Sequence, residues 1–375
     1  MPTHRCRGCG SADVGRAVDL GPQPAADHFP PASTPGDDPR WPLELWLCRS
    51  CTLVQLGPVE PLLPEPPLAI ESATSIEHAA ASVRDLLRDH PELAGATVAE
   101  FASHHGGSWI PDLLAAGCRR ADEGERAHLV VDVHGLAHEP VISSCLAQRA
   151  ERLTPGGLLV VEFHHLLPLL VEGQFDTIRH GHWSYLSLGA LRRLAAPLGL
   201  TVVAVRRVPL FGGSLQVLLR HTAEGIDPTD ASVDDVLQDE AAAGVDDLDR
   251  LAELHAGAHR SGTALHDYLL AQRAQGRTVL GYGAPSKAPV LLDISRVGPD
   301  LLPFTVDAAP GKHGRRIPGC GVPIRPVADL CAARPDVVLI LTWDIAEEVI
   351  SQLEARGGWG AEYLVPLPAP HVVTG

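Results

Sequence analysis

No apolar run in the 375-residue chain approaches the roughly 20 residues that a membrane-spanning helix needs, and the opening residues MPTHRCRGCG lack the apolar core of a secretory signal. A cytoplasmic protein without a membrane partner is expected. Basic residues are scarce: 30 Lys plus Arg stand against 46 Asp plus Glu, a formal charge of −16. Nucleic-acid binding rests on cationic side chains that neutralise phosphates, so this balance argues against such a partner. Lysine itself is nearly missing, Lys287 and Lys312 being the two examples, and aromatic residues make up 4% of the chain. The accompanying Ala, Pro and Arg bias is that of a GC-rich bacterial genome. What remains is globular in composition, with 45% hydrophobic and 20% charged residues, and the length suggests two or three domains.

Four of the eight cysteines form two CxxC pairs, Cys6-Arg-Gly-Cys9 and Cys48-Arg-Ser-Cys51. In a reducing compartment such pairs bind metal more often than they form disulfides. Four thiolates fill a tetrahedral zinc sphere and leave no position for water, so a structural zinc is expected, against free thiols or a redox pair. Cys118, Cys145, Cys320 and Cys331 are scattered and read as packing residues.

The proline-rich stretch Gly57 to Pro67 reads as a stiff linker, which sets a zinc-binding module at 1–66. Helical spacing from Ala73 to Leu87 follows, and then TVAEF (97–101) as a short buried strand entering the loop SHHGG. HLVVDV (128–133) and LLVVEF (158–163) are further buried strands, with a helix around Ile142 to Leu153 and a turn at Pro155-Gly156-Gly157 between them. Leu200 to Pro209 and Gly213 to Leu219 read as a closing strand pair through Phe211-Gly212-Gly213, which makes 67–222 an α/β domain with a parallel sheet. Residues 223–275 read as acidic connecting helices. Short strands at 278–281, 302–306 and 337–341 give 276–375 as a smaller α/β domain.

This order, ending in GYGAPSK, VDAAPGKHGRRIPGCGVPI and LTWDIAEEV, resembles the zinc-containing sugar C-methyltransferases along nearly the whole chain. The resemblance implies S-adenosylmethionine as methyl donor, a nucleotide-linked ketodeoxysugar as substrate, a Rossmann-like donor domain, and a C-terminal domain that helps hold the sugar nucleotide. Gly281, Tyr282 and Gly283 follow a strand and open a helix, so their amides could face a diphosphate, with Lys287 one turn on and Lys312 in a second loop. Solvated lysines are the alternative.

Several family features have changed. The donor motif, an acidic residue followed by a Gly-rich turn, here reads Glu100-Phe101-Ala102-Ser103-His104-His105-Gly106-Gly107, with Ala102 in place of the first glycine. The short interval from Gly107 to His128 leaves no room for two further strands with their helices, and a ribose-binding carboxylate finds no candidate. Tyrosines expected before the donor strand are absent from Pro67 to Ser72. The stretch that usually ends in Tyr, any residue, Glu, His reads Arg179-His180-Gly181-His182. These departures argue against ordinary donor binding. His182 is the leading candidate base, because imidazole titrates near neutrality, His138 is the second proton-transfer group, and His180 and Arg179 flank them. A hydrogen-bonded surface imidazole is the alternative for each. His104, His105, His164 and His165 gather at two strand ends, where a second metal is conceivable. Three functions stay open: methyl transfer, donor-independent proton-transfer chemistry (an epimerase, isomerase or lyase), and non-catalytic sugar-nucleotide binding. The oligomeric state is not readable.

Overall fold

The computed structural model describes residues 4–34, 38–58, 70–101, 107–222 and 230–373. Ala102, His104, His105 and Gly106 lie outside the described residues, as does most of the proline-rich stretch.

The N-terminal module is an antiparallel sheet of β1 (Val14–Pro24), β2 (Arg40–Cys48) and β3 (Val54–Leu56). After α1 (Ala73–Asp89), the central domain runs β4 (Thr97–Phe101), α2 (Ile110–Ala115), β5 (Arg119–Arg120), β6 (Ala127–Val133), α3 (Ile142–Glu151), β7 (Leu153–His164), α4 (Leu166–Val171), β8 (Ser184–Tyr185), α5 (Leu188–Ala195), β9 (Leu200–Val208) and β10 (Ser214–His221). Its sheet has the order β5-β4-β6-β7-β10-β9; β5, β4, β6 and β7 are parallel, and β10 runs antiparallel to both neighbours. Helix α1 forms because apolar and small residues recur at helical spacing, Ala79, Val83 and Leu86 facing inward, and because the Ser72 hydroxyl accepts the Ser75 amide at 3.1 Å. It packs onto the sheet face made by Val98, Leu129, Val131 and Val160.

Three features differ from the sequence-based expectation. The Gly107–His128 interval does hold one further strand, but β5 is two residues long and follows the six-residue α2. The Pro155-Gly156-Gly157 turn is absorbed into β7 as an irregularity, where five steps from Leu153 to Leu158 oppose two from Ala127 to Leu129. The zinc module is not closed on itself, since β8 pairs with β3 and places the segment after His182 in the module's sheet.

Helices α6 (Ala231–Ala243) and α7 (Leu248–Ala274) lead into the C-terminal domain: β11 (Val279–Tyr282), α8 (Ala288–Ile294), β12 (Thr305–Asp307), β13 (Ile324–Pro326), α9 (Val327–Ala333), β14 (Val337–Ile340), α10 (Ala346–Ala355), β15 (Glu362–Val365) and β16 (His371–Val373). The sheet order is β13-β12-β11-β14-β15-β16, parallel except for the last pair. Three of these six strands match the expected ones, although β12 begins after Pro303 and not at Leu302. One apolar cluster links the module to this domain, with Leu43, Leu45 and Phe29 packed among Leu265, Leu291 and Ile324. Among the described residues no helix is long and apolar enough to cross a membrane.

Candidate active site

The four cysteines of the two CxxC turns converge as the sequence requires. Their sulfur atoms lie within 4.8 Å of one another, with Cys6–Cys51 at 3.5 Å and Cys9–Cys48 at 3.6 Å. A tetrahedron with Zn–S bonds of roughly 2.3 Å has edges of about 3.8 Å, so the set fits zinc. Amides of Gly8 and Cys9 point at the Cys6 sulfur, at 3.3 and 3.4 Å, as they do toward metal-bound thiolates. No water position remains, and the zinc would tie β1 and β2 to the turn before β3. Cys118, Cys145, Cys320 and Cys331 are free thiols.

Between the three units lies a cavity of about 450 Å³. The central domain contributes His138, His164, Thr177, Arg179, His182 and Phe211; the C-terminal domain contributes Tyr282, Gly283, Lys287 and Lys312; the zinc module contributes Asp27 and Phe29. Histidine reaches it from two strand ends, where α/β proteins place ligands. His138 follows β6, His164 ends β7, and His182 comes from the turn that leads into β8.

The imidazoles touch. His138 and His182 meet edge to face with ring centroids 5.1 Å apart, and His182 lies 5.6 Å from His164 and 4.7 Å from the Tyr185 ring. His138 Nδ1 stands 3.1 Å from the Gly181 carbonyl, which can only accept, so the proton sits on Nδ1 and Nε2 is the basic nitrogen. Burial, reinforced by the charges of Arg179 and His134, holds His182 well below the ordinary imidazole value of 6.5. It is therefore neutral at pH 7. Behind this wall the buried Glu162 accepts from His78 at 2.9 Å and from Gln216 at 3.1 Å, and His134 stands 3.2 Å away. Burial pushes the Glu162 carboxyl up, but the hydrogen bonds and charges of His134 and His78 outweigh it and hold it at about 2. His134 occupies left-handed backbone (φ 56°), as does Phe211 (φ 55°), whose ring meets it edge to face at 5.0 Å. Non-glycine residues are held there at a cost, a form of strain that gathers at functional sites.

The cations of the cavity are each matched by a carboxylate. Arg179 donates to Asp27 at 3.2 Å, Lys287 to Asp344, and Lys312 to Asp307 at 3.4 Å and to the Ala284 carbonyl at 2.8 Å. The expected cradle of amides is otherwise engaged: Gly281 and Gly283 donate to the Phe304 and Val306 carbonyls, and Ala284 to Asp307. Those amides are therefore already spent on the protein's own acceptors. Gly283 is needed for space: a Cβ there would sit 2.7 Å from Thr342, at a φ of +94°. His180 turns away from the cavity, with Nε2 donating to the Pro42 carbonyl at 3.1 Å. His165 pairs with Glu240 at 2.8 Å, so neither His165 nor His180 belongs to the cavity wall.

At the donor loop, Glu100 accepts the Ser108 hydroxyl and the Trp109 amide, both at 2.6 Å, so it serves the start of α2. The Gly107 amide donates to Glu71, which lines the cavity. Glu348 of α10 accepts from the Thr74 amide and hydroxyl at the start of α1. Glu71 and Glu348 escaped the sequence reading because their partners are far away in the chain. Asp122, two residues past β5, is a carboxylate in the region where none was found; it is exposed, and its amide donates to Glu125.

Two family models match, one describing a C-methyltransferase C-terminal domain (residues 209–368) and one a zinc binding domain (residues 6–62). The first begins inside the central domain, well before residue 276. C-methyltransferase NovU of Streptomyces niveus is 30% identical over 415 aligned positions that cover 100% of this chain and 97% of that protein. Among solved structures, the 1,6-didemethyltoxoflavin-N1-methyltransferase of Burkholderia thailandensis covers 47% of this chain and 98% of its own at 16% identity, with a TM-score of 0.29. The magnesium protoporphyrin IX methyltransferase of Synechocystis covers 41% of this chain and 91% of its own at 15% identity, with a TM-score of 0.30. Likenesses of that size carry no argument about chemistry. End-to-end identity to a C-methyltransferase, with both terminal domain models in place, means that the chain belongs to the zinc-containing sugar C-methyltransferase family.

Proposed function

We propose that the protein removes and returns a proton beside the carbonyl of a nucleotide-linked keto sugar, an epimerase or isomerase reaction that needs no methyl donor. The observation that carries this reading is the imidazole pair in the cavity: His138 with its basic nitrogen fixed at Nε2, edge to face with a neutral, buried His182. One imidazole takes the proton from the carbon next to the carbonyl, an enolate forms, and an imidazolium returns the proton to the same or the opposite face. Lys287, Lys312 and Arg179 would meet the diphosphate by exchanging their carboxylate partners for phosphate oxygens.

Donor independence is supported by the donor loop. Glu71 takes the Gly107 amide, Glu100 takes Ser108 and Trp109, and the strand after α2 is two residues long.

The test is proton exchange. With a nucleotide-linked 4-keto-6-deoxyhexose in deuterated water, deuterium should enter the carbon next to the carbonyl without S-adenosylmethionine, as read by NMR. Exchange that begins only when the donor is added would overturn the proposal. A second reading, methyl transfer, is favoured by the 30% identity to C-methyltransferase NovU along the whole chain. Its signature is transfer of a labelled methyl group to the same substrate.

A further inference from the structure

Asp176 lies outside every motif considered so far, in the one-turn helix Phe175–Thr177 between α4 and the turn that carries Arg179 and His182. Its carboxyl is fully buried. Oδ2 accepts the indole Nε1 of Trp343, from the C-terminal domain, at 2.8 Å, and Oδ1 has no hydrogen-bond partner among the described residues. The Trp343 ring in turn lies beneath the Lys287 ammonium, 4.0 Å from ring centre to nitrogen. Close packing at Gly212 fixes the outer edge of the same ring: a Cβ there would sit 2.7 Å from Trp343. Carboxylate, indole and ammonium therefore form a stack that runs from the His182-bearing segment of the central domain to the cation of the C-terminal domain. Lys287 is within reach of two carboxylates at once, Asp344 directly and Asp176 through space.

A merely structural role would be served better by an uncharged acceptor. Taking a carboxylate out of water costs several kcal/mol unless it is well paired, and an Asn oxygen could accept the same indole hydrogen. We propose that Asp176 is a positioning residue for the cavity: it pins Trp343 as the platform of Lys287, and its charge governs how available Lys287 is to an anionic group of the ligand. The chemistry of that group is a phosphate diester such as the diphosphate of a nucleotide sugar, so this part rests on the function proposed above.

Burial pushes the Asp176 carboxyl up, against the lowering charge of Lys287, to about 6, within reach of ordinary buffers. The charged groups that face it are Lys287 at the start of α8 and Asp344 in the 343–345 turn. On its own segment stands Arg179, already matched by Asp27. Helix α7 meets the same turn through the apolar cluster that buries Phe175. When Asp176 gains a proton, Lys287 loses one of two competing negative charges and binds an anion more tightly.

The experiment titrates the purified protein with UDP-glucose and with TDP-glucose, whose diphosphates do not titrate above pH 5, from pH 5 to pH 8. The wild type should bind several-fold more tightly at pH 5 than at pH 8. Asp176→Asn should bind at pH 8 as tightly as the wild type does at pH 5, with its pH dependence largely gone, while Trp343→Phe should weaken binding at every pH. A second readout needs no ligand: the tryptophan fluorescence that Trp343→Phe removes should change with a midpoint near pH 6 in the wild type and stay flat in Asp176→Asn. Equal pH dependence of binding in wild type and Asp176→Asn, or a Trp343 signal that ignores pH in the wild type, would overturn the inference. If neither sugar nucleotide binds the wild type, the nucleotide-sugar reading fails, and the fluorescence titration alone decides the role of Asp176.

Discussion

His138 and His182 stand in chemically different environments, although both are imidazoles in one cavity. His138 has its tautomer set by a backbone carbonyl, whereas His182 is held neutral by burial and by nearby positive charge. Each should be indispensable: His138→Ala or His182→Ala should slow proton exchange by roughly a hundred- to ten-thousand-fold, with a circular dichroism spectrum like that of the wild type. Exchange that survives both substitutions would place the chemistry elsewhere. The depressed His182 also bears on stability. The unfolded chain takes a proton on this imidazole below about 6.5 and the folded chain does not, so stability falls as the pH drops through 6.5. Glu162 adds a second loss further down: its folded carboxyl titrates near 2 and its unfolded one near 4.5, so its contribution is present above 4.5 and disappears as the pH falls toward 2. Denaturant titrations at pH 8, 6 and 4.5 should therefore show stability falling, more steeply over the second interval than the first, and His182→Phe should flatten that slope. Little of this was readable from the chain. His138 and His182 came from the family motif, while Glu71, Glu348 and Asp176 act through partners 36, 274 and 167 positions away, where spacing carries no signal.

Elements whose sequences state their own environment were the readable ones. HLVVDV and LLVVEF are apolar apart from His128, Asp132 and Glu162 because both faces of a parallel strand are covered, and TVAEF sits beside them in the same sheet. Arg119-Arg120 and Ser184-Tyr185 are two-residue strands with no periodicity to detect, and the second finds its partner Val54-Gln55 across the domain boundary. The cysteine turns were readable because two CxxC pairs fix four ligands without regard to what lies between them. Metal analysis should give one zinc per chain. Its removal, or Cys48→Ser, should lower the melting temperature by about 10 °C and abolish proton exchange as well, because the module carries Asp27 and Phe29 into the cavity. Unchanged melting and activity in the zinc-free protein would assign the module another role. Glu240, on α6, accepts from His165 and from the Leu188 and Gly189 amides that begin α5. Glu240→Ala leaves three inward-facing donors without this partner, for a loss of about 3 kcal/mol, roughly 4 °C in melting temperature for a chain of this length.

At the scale of the molecule, three units that could each have closed on themselves share their parts instead. A strand from the central domain completes the sheet of the zinc module, Glu348 of the C-terminal domain caps the first helix of the central domain, and all three units line one cavity. Both terminal family models match, and in the central sheet β4 is followed by the two-residue β5, with the Gly107 amide held by Glu71. On the function proposed above, proton transfer proceeds without a bound methyl donor. Calorimetric titration of the purified protein with S-adenosylmethionine and with S-adenosylhomocysteine, carried to millimolar concentrations, tests it most directly. We expect no detectable heat of binding from either, and binding of either one at micromolar concentration would contradict the account and return this protein to methyl transfer.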